Sequence, residues 1–318
     1  VTIADFTIET VAPIVSIASS TVSDGDTSND ESIALTFTSN EATTNFVVGD
    51  VTVSGGSLSN FASSSSSVYT ATFTPSSAGA TSIDVGASVF TDAAGNGNTA
   101  ASQFNWTFDN SSAELSNVSI SSNNATSTLA KASDVITLVF SANETIDTPT
   151  ATFASGSSTI ASGRVSVSNT SGNNWSASYT TGASDSDGAV TYSIAFSDTG
   201  GNAGVPVTSG SGSVTFDNTR PVSSISSTQV GNGGATNAGS IAVAFGLSDS
   251  TTEFNAADVS VSGGSLSDFS GSGTSYSATF TPDSDGTKTI QIVRAAYTDA
   301  AGNVSWATGE FSLSLIHI

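Results

Sequence analysis

The sequence has little positive charge and lacks the residues on which most catalytic and redox chemistry depends. Its 318 residues include no cysteine, no methionine and one histidine. The absence of cysteine excludes a disulfide framework, a thiolate nucleophile and a zinc–thiolate site. The single histidine, His317, lies in the terminal segment LSLIHI, which resembles a translated sequencing adapter. Without a usable cysteine or histidine, neither a Ser–His–Asp nor a Cys–His arrangement can form, and we expect no enzyme.

Basic residues are also scarce. The chain carries 27 acidic and 5 basic residues, which gives a formal net charge of −22. Such a surface repels nucleic acids and anionic membranes, so phosphate-binding functions are excluded, whereas divalent cations remain compatible. No apolar run approaches the roughly 18 residues of a membrane-spanning helix. We therefore expect neither a nucleic-acid partner nor a membrane span within this chain.

The sequence is built from repeats. Three segments occur nearly unchanged in two places: DVTVSGGSLSNF at Asp50–Phe61 and DVSVSGGSLSDF at Asp258–Phe269, TATFTP at Thr70–Pro75 and SATFTP at Ser277–Pro282, and TDAAGN at Thr91–Asn96 and Thr298–Asn303. A weaker middle copy ends in SDTGGN at Ser197–Asn202. In a tandem repeat, packing within and between neighbouring units constrains each unit, rather than a single active site. Such chains are typically stalks or arrays of binding modules.

Aligning the copies predicts the boundaries of the domains. We expect residues 1–9 to be the final strand of a preceding truncated repeat, 10–109 to be the first repeat, 110–217 a divergent second repeat, 218–312 the third, and 313–318 an adapter-derived tail. Each full repeat is large enough for a core of its own. Neighbouring repeats in the same chain are therefore the first expected partners.

Strand signals dominate each repeat. Apolar residues alternate at Ile33, Leu35 and Phe37, and again at Tyr69, Ala71 and Phe73, between clusters of glycine, serine, asparagine and aspartate. This pattern predicts an all-β fold of tandem immunoglobulin-like Greek-key β-sandwiches, which the short linkers would arrange as an extended rod. Within the first repeat, strands A to G are expected in order near residues 14–18, 32–39, 44–48, 51–53, 68–74, 82–89 and 103–108, with the short D strand at 51–53. The A–B, B–C and F–G loops are the segments between these strands.

The motifs resemble a known family. DVTVSGGSLSNF, YTATFTP, FTDAAGN and the boundary FDNTRP are similar to the bacterial immunoglobulin-like (Big) tandem repeats of large surface adhesins of the RTX type and of related secreted proteins. The similarity is strong in the first and third repeats, while the middle repeat lacks DVTVSGG. The resemblance implies extracellular display at the bacterial surface or by secretion, tandem extension and, in several members, calcium between repeats.

Calcium sites can also be argued from the acidic residues. In a Greek-key sandwich the incoming linker, the B–C loop and the F–G loop lie at the same end. Each junction draws one acidic residue from each of these places: Glu9, Glu41 and Asp92 at the first, Asp109, Glu144 and Asp198 at the second, and Asp217, Asp249 and Asp299 at the third. The amides of Asn96, Asn202 and Asn303 are possible further ligands. Ca²⁺ prefers six to eight oxygen ligands, so we expect a calcium site at each junction.

Two alternatives remain open for the acidic residues. The aspartate of TDAAGN can instead form an Asx turn, and both roles are compatible. A second acidic cluster, Asp24, Asp26 and Asp30, has calcium-like spacing, but the third repeat replaces it with VGNGGATNAGS, which favours a solvated turn.

The expected function is a non-catalytic stalk or spacer of a bacterial cell-surface or secreted adhesin, stiffened by calcium at its junctions. The alternatives are an immunoglobulin-like module that binds a glycan or a protein, and an accessory spacer of a secreted hydrolase. If one repeat binds a ligand that the others do not, the divergent middle repeat is the first candidate. Trp306, which has no aromatic equivalent in the first repeat, is the one candidate for an exposed sugar-binding residue.

Overall fold

A computed structural model of the chain describes residues 8–316, so His317 and most of the strand expected at residues 1–9 lie outside the described residues. Within them, the helical elements are three short 3₁₀ turns at Val48–Asp50, Ser162–Arg164 and Ala256–Asp258, and no helix is long and apolar enough to cross a membrane. The chain divides into two compact units. The first comprises residues up to Ser116 with Ala142–Pro149 and Ala195–Pro206, and the second comprises the remaining segments.

The first unit contains the first repeat as a two-sheet sandwich. Its strands are β1 (Val15–Ser19), β2 (Thr27–Ser28), β3 (Ile33–Ser39), β4 (Val51–Ser54), β5 (Gly56–Ser63), β6 (Val68–Pro75), β7 (Gly79–Val85) and β8 (Phe104–Phe108). One sheet has the order β1-β3-β6-β5 and the other the order β2-β8-β7-β4. The predicted two-sheet, all-β fold is confirmed.

The core of this repeat follows from the alternation in its strands. Ile33, Leu35 and Phe37 of β3 are all buried, and the antiparallel register places Phe37 opposite Tyr69 and Ile33 opposite Phe73 of β6. Because successive side chains of a strand point to opposite faces, this set fills the space between the sheets while the intervening threonines face outward. Trp106 of β8, at 1% exposure, fills the core from the other sheet, as its alternation with Phe104 predicts.

The predicted C strand near residues 44–48 is wrong. The segment is irregular and ends in the 3₁₀ turn, although Phe46 is buried in the core. The GSLSNF part of the motif SGGSLSNF lies in β5, a strand that the sequence pattern did not predict. The Gly-Gly pair explains it: Gly55 adopts φ +78°, and a Cβ on Gly56 would lie 2.4 Å from the carbonyl oxygen of Thr74. The pair lets the chain pass directly from one sheet to the other.

The second unit contains most of the middle repeat and all of the third. The strands of the middle repeat are β9 (Leu115–Ser122), β10 (Leu129–Ala130), β11 (Val135–Ala142), β12 (Thr150–Ser155), β13 (Ser158–Thr159), β14 (Val165–Ser171), β15 (Asn174–Thr180), β16 (Gly188–Ala195) and β17 (Thr215–Phe216). They form sheets of order β10-β17-β16-β12-β13 and β14-β15-β11-β9. The glycines of the SGSGS segment have a structural role, since a Cβ on Gly210 or Gly212 would lie 2.4 or 2.3 Å from a carbonyl oxygen of β9.

The third repeat reproduces the first. Its strands are β18 (Ser223–Ser226), β19 (Gly234–Thr236), β20 (Ile241–Thr251), β21 (Val259–Ser262), β22 (Gly264–Pro282), β23 (Gly286–Ile292) and β24 (Phe311–Leu315). The sheets have the orders β18-β20-β22 and β19-β24-β23-β21. The buried set again includes Ile241, Val243 and Phe245 at alternating positions. Residues Leu313–Leu315 of the expected tail continue β24 and pair with β23.

Candidate metal centres

The first acidic group lies at the start of the first repeat. Glu9 precedes β1, Glu41 follows β3, and Asp92 lies in the loop after β7. One carboxylate oxygen from each of the three lies within 4.8 Å of the other two. Asp92 is 8% exposed, and its backbone forms an isolated β-bridge with Thr43, which ties the two loops together. The structure thus brings together the three acidic residues that the sequence predicts for the first junction.

The second acidic group repeats this arrangement, also within the first unit. Asp109, Glu144 and Asp198 each offer a carboxylate oxygen, and these atoms again lie within 4.8 Å of one another. Asp198 is 1% exposed and forms an isolated bridge with Ile146, the counterpart of the bridge at Thr43. The acidic residues come from distant parts of the chain, so folding, rather than local sequence, creates the group.

The third predicted group is different. In the part of the chain that the structure describes, Asp217, Asp249 and Asp299 do not form a cluster of this compactness. Asp249 occupies the place of Glu41 and Glu144 but is one methylene shorter, and its carboxylate accepts a hydrogen bond from Ser248 Oγ. Thr251, the counterpart of Thr43, pairs with Gly273 of β22. Asp249 itself lies in β20, whereas Glu41 follows β3, so the chain around this acid differs from that in the first repeat.

The electrostatics of the groups reflect crowded negative charge. Burial, followed by repulsion from Asp92 and Glu9, raises the pKa of the Glu41 carboxyl. Burial, followed by repulsion from Asp109 and Asp198, likewise raises the pKa of Glu144. At the third junction burial also raises the pKa of Asp217, and repulsion from Asp299, Asp187 and Asp249 adds to the effect. A bound cation would relieve this repulsion.

The aspartates of the F–G loops also shape their turns. The main-chain N–H of Asn96 donates to Asp92 Oδ1 at 2.8 Å, and Asn96 Nδ2 donates to Asp92 Oδ2 at 2.8 Å. These bonds lower the pKa of Asp92. Asn202 bonds Asp198 in the same way, as Asn303 bonds Asp299. An ionised carboxylate has about four acceptor positions, so the turn role leaves acceptor capacity for another ligand.

The three asparagines act in the structure through their amide nitrogens. In addition to the aspartate, Asn202 Nδ2 donates to the carbonyl oxygen of Asp109, and Asn303 Nδ2 donates to that of Asp217. Asn96 Nδ2 reaches the carbonyl oxygen of Glu9 at 3.4 Å. Each asparagine therefore connects an F–G loop to the linker that enters its repeat, a role that the prediction of amide ligands did not include.

Sequence reasoning missed further residues at these junctions. Asn29 donates from its main-chain N–H to Gly200 O at 2.9 Å and from Nδ2 to Gly201 O at 3.0 Å. Asn124 donates from Nδ2 to Ala301 O at 2.9 Å and to Asp134 Oδ2 at 2.7 Å. Each asparagine lies in the A–B turn of one repeat and contacts the F–G loop of the next. The recurrence of asparagine in these turns is the signal that could have found them.

The acidic residues of the first A–B turn accept hydrogen bonds from the protein. Asp26 accepts from the N–H of Ser23, Asp24 accepts from the N–H of Asn105, and Asp30 accepts from Ser28 Oγ. Asp26 and Asp30 thus bond within the turn, whereas Asp24 connects the turn to β8. Among the described residues these three do not form a group with metal-ligand spacing.

The chain is similar to one described family and, at low identity, to solved structures. A family model described as "Bacterial Ig-like domain" matches residues 9–108 and 217–314. An I-band fragment of titin is 11% identical, with 96% of this chain and 99% of the titin chain covered and a TM-score of 0.40. Invasin, a bacterial integrin-binding protein, is 14% identical, with 96% of this chain and 60% of the invasin chain covered and a TM-score of 0.35. No curated protein matches the sequence.

Proposed function

The chain belongs to the bacterial Ig-like domain family, and on that premise we propose that it is a stalk or spacer segment of a bacterial surface or secreted adhesin, stiffened by calcium at its junctions. Bacterial Ig-like domains are typically extracellular or surface-exposed modules, and the immunoglobulin-like fold is typically non-catalytic. Tandem repetition of such modules fits a structural or adhesion-type role.

The observation that carries the calcium proposal is the pair of three-carboxylate groups at equivalent places. Each group takes one acid from a linker, one from a B–C loop and one from an F–G loop, so an ion bound to all three would tie the linker to the repeat. In the first group, Glu41 Oε1 is buried and has no hydrogen-bond partner. A buried carboxylate oxygen without a donor is costly, and coordination by a cation would remove that cost.

Calcium suits these groups better than a transition metal. The ligands on offer are carboxylate and carbonyl oxygens, which hard cations prefer. Extracellular calcium modules bind with dissociation constants of about 10⁻⁴–10⁻³ M, and we expect this range. An ion that binds only the ordered junction stabilises it according to its concentration relative to that constant.

Thermal unfolding in millimolar calcium and in EDTA tests the proposal. We expect calcium to raise the Tm of the full chain, and Glu41→Gln and Glu144→Gln each to reduce the rise. Glu31→Gln and Glu114→Gln make the same chemical change at exposed acids outside the groups and are expected to leave the rise unchanged. Small-angle scattering with and without calcium then tests stiffening. Identical Tm values in calcium and EDTA would mean that the acids serve only as turn residues.

A further inference from the structure

The five basic residues of the chain differ in whether they form ion pairs. Three of the five form ion pairs: Lys131 with Asp134, Arg164 with Asp185, and Lys288 with Asp283. The other two, Arg220 and Arg294, form no ion pair with any described acid. In a chain with 27 acidic residues, two arginines without a carboxylate partner are unexpected.

Both of these arginines converge on one aromatic ring. The guanidinium carbon of Arg220 lies 4.9 Å from the ring centroid of Trp306, and that of Arg294 lies 5.5 Å from it. Trp306 is 50% exposed, whereas Trp106 and Trp175 are 1% and 8% exposed in their cores. Two like charges held beside a half-exposed indole form a small cationic and aromatic surface on the second unit.

The surface is fixed by the fold. The main-chain N–H of Trp306 donates to the carbonyl oxygen of Pro221, the residue after Arg220, at 3.1 Å. Next to it, Ser305 is fully buried and exchanges hydrogen bonds with Tyr297. The backbone that carries Trp306 and Arg220 is therefore held in place, as a binding surface requires.

A pocket continues this surface on the side of Arg220. It has a volume of about 250 Å³ and is lined by Lys131 and Arg220 together with Asn218 and Asn303. Among the described residues that line it there is no carboxylate. One guanidinium nitrogen of Arg220, Nη1, is buried and has no hydrogen-bond partner. A buried donor without a partner is costly, and an anionic group bound there would satisfy it.

These features are not part of the repeated scaffold. Ala12, Ala87 and Thr99 occupy the places of Arg220, Arg294 and Trp306 in the first repeat. The acidic and asparagine positions of the junctions recur from repeat to repeat, which marks them as scaffold. These three residues have no equivalents in the first repeat, and they lie together in the third. This indicates a role that the repeated scaffold does not share.

We propose that Arg220, Arg294 and Trp306, with Lys131 at the edge of the pocket, form a binding site for an anionic saccharide. Guanidinium groups bind carboxylate and sulfate oxygens in paired hydrogen bonds, and the part of the indole that the two guanidinium groups leave exposed offers an apolar contact to the C–H groups of a sugar. The charge of the remaining surface would disfavour a long polyanion, so a short anionic segment of a glycan fits best.

Titration followed by tryptophan fluorescence tests the site. Three probes of equal length are compared in EDTA: an oligomer of glucuronate, a sulfated glucose oligomer and an unsubstituted glucose oligomer. Because the other two tryptophans are buried, the signal reports mainly Trp306. We expect at least one anionic oligomer to bind and the neutral one not to bind; which anionic oligomer binds identifies the acidic group.

The variants locate the binding. Arg294→Gln, on an exposed residue, and Arg220→Gln should each weaken binding by about tenfold or more, as expected for loss of a charge-assisted hydrogen bond. Trp306→Phe, followed by calorimetry, should also weaken it. Ser77→Glu lowers the net charge by the same amount on an exposed residue of the first repeat and should leave binding nearly unchanged.

The proposal would be overturned if neither anionic oligomer bound at millimolar concentration, or if the neutral oligomer bound equally well. Unchanged affinity in Arg294→Gln would also overturn it. That variant remains informative even if Arg220→Gln fails to fold. None of these results bears on the calcium proposal, since the Glu41 and Glu144 variants change other residues and are read out by Tm.

Discussion

Asn202 Nδ2 donates a hydrogen bond to the main-chain carbonyl of Asp109, 93 residues earlier in the chain, at 3.1 Å. The same nitrogen donates to Asp198 Oδ2 at 3.0 Å. One amide thus holds a linker residue against an F–G loop. Asn303 makes the equivalent pair of bonds to Asp217 and Asp299. This contact consists of protein hydrogen bonds alone. Its contribution to the free energy of unfolding is therefore separate from any contribution of bound calcium.

Removing this contact should destabilise the protein in the absence of calcium. We expect Asn202→Ala to lower the free energy of unfolding by about 1–3 kcal/mol, because it removes the side-chain donor to Asp198 Oδ2 and to the carbonyl oxygen of Asp109. Denaturant unfolding in EDTA measures the change. Asn237→Ala, at an exposed asparagine, is the control and should have little effect. Equal stability of the two variants would show that the amide contact is energetically neutral.

The Gly-Gly turn between β4 and β5 gives a second prediction. A Cβ on Gly56 would lie 2.4 Å from Thr74 O and 2.5 Å from Phe73 Cζ, so Gly56→Ala must move backbone or core atoms. We expect a loss of about 1–3 kcal/mol. At Gly49 a Cβ would meet nothing within 4 Å, so Gly49→Ala should be neutral or slightly stabilising. A neutral Gly56→Ala, measured by denaturant unfolding, would contradict the steric explanation of the motif.

Alternation and repetition predicted more of this protein than local motifs did. Period-2 alternation identified β3 and β6 and their buried residues, because each of these strands has one face on the core and the other toward solvent. It failed at Phe46, whose side chain is buried from an irregular segment, and at β5, whose residues are mostly exposed. In both cases tertiary packing decides the conformation, and the local pattern carries little of that information.

The candidate site was predicted through topology. Glu9, Glu41 and Asp92 are far apart in sequence, yet the assignment of linker, B–C and F–G positions brought them together. The contribution of Asn29 could not be predicted in this way, because its bonds go to main-chain carbonyls of Gly200 and Gly201, and a carbonyl carries no sequence signal.

The ion pair of Arg164 and Asp185 predicts how stability depends on pH. The hydrogen bond from Arg164 lowers the pKa of Asp185, whose side chain is 4% exposed. A group whose pKa is lower in the folded state stabilises the fold above its unfolded pKa of about 3.9, and this contribution is lost as the pH falls through the folded pKa.

Asp185→Asn should therefore be less stable than the wild type by about 1–2 kcal/mol at pH 7, a range that allows for the partial exposure of Arg164. The difference in stability should shrink as the pH falls below about 4. Denaturant unfolding between pH 7 and pH 2 measures it. Asp84→Asn, at an aspartate outside the ion pairs, is the control. A difference that stays constant over this range would mean that the pair contributes through packing rather than charge.

The third junction gives the sharpest test of what makes an acidic group compact. Asp249 stands where the other repeats have Glu41 and Glu144, and those two belong to the groups with carboxylate oxygens within 4.8 Å. If the missing methylene is the main difference, Asp249→Glu should bring a carboxylate toward Asp217 and Asp299. It should then lower the Tm in EDTA, by added repulsion, and increase the rise in Tm caused by calcium.

Asp268→Glu makes the same change at an exposed position and should leave the calcium-induced rise in Tm unchanged. An unchanged response in Asp249→Glu would instead point to the pairing of Thr251 with Gly273, which holds the end of β20 against β22 regardless of the length of the acid.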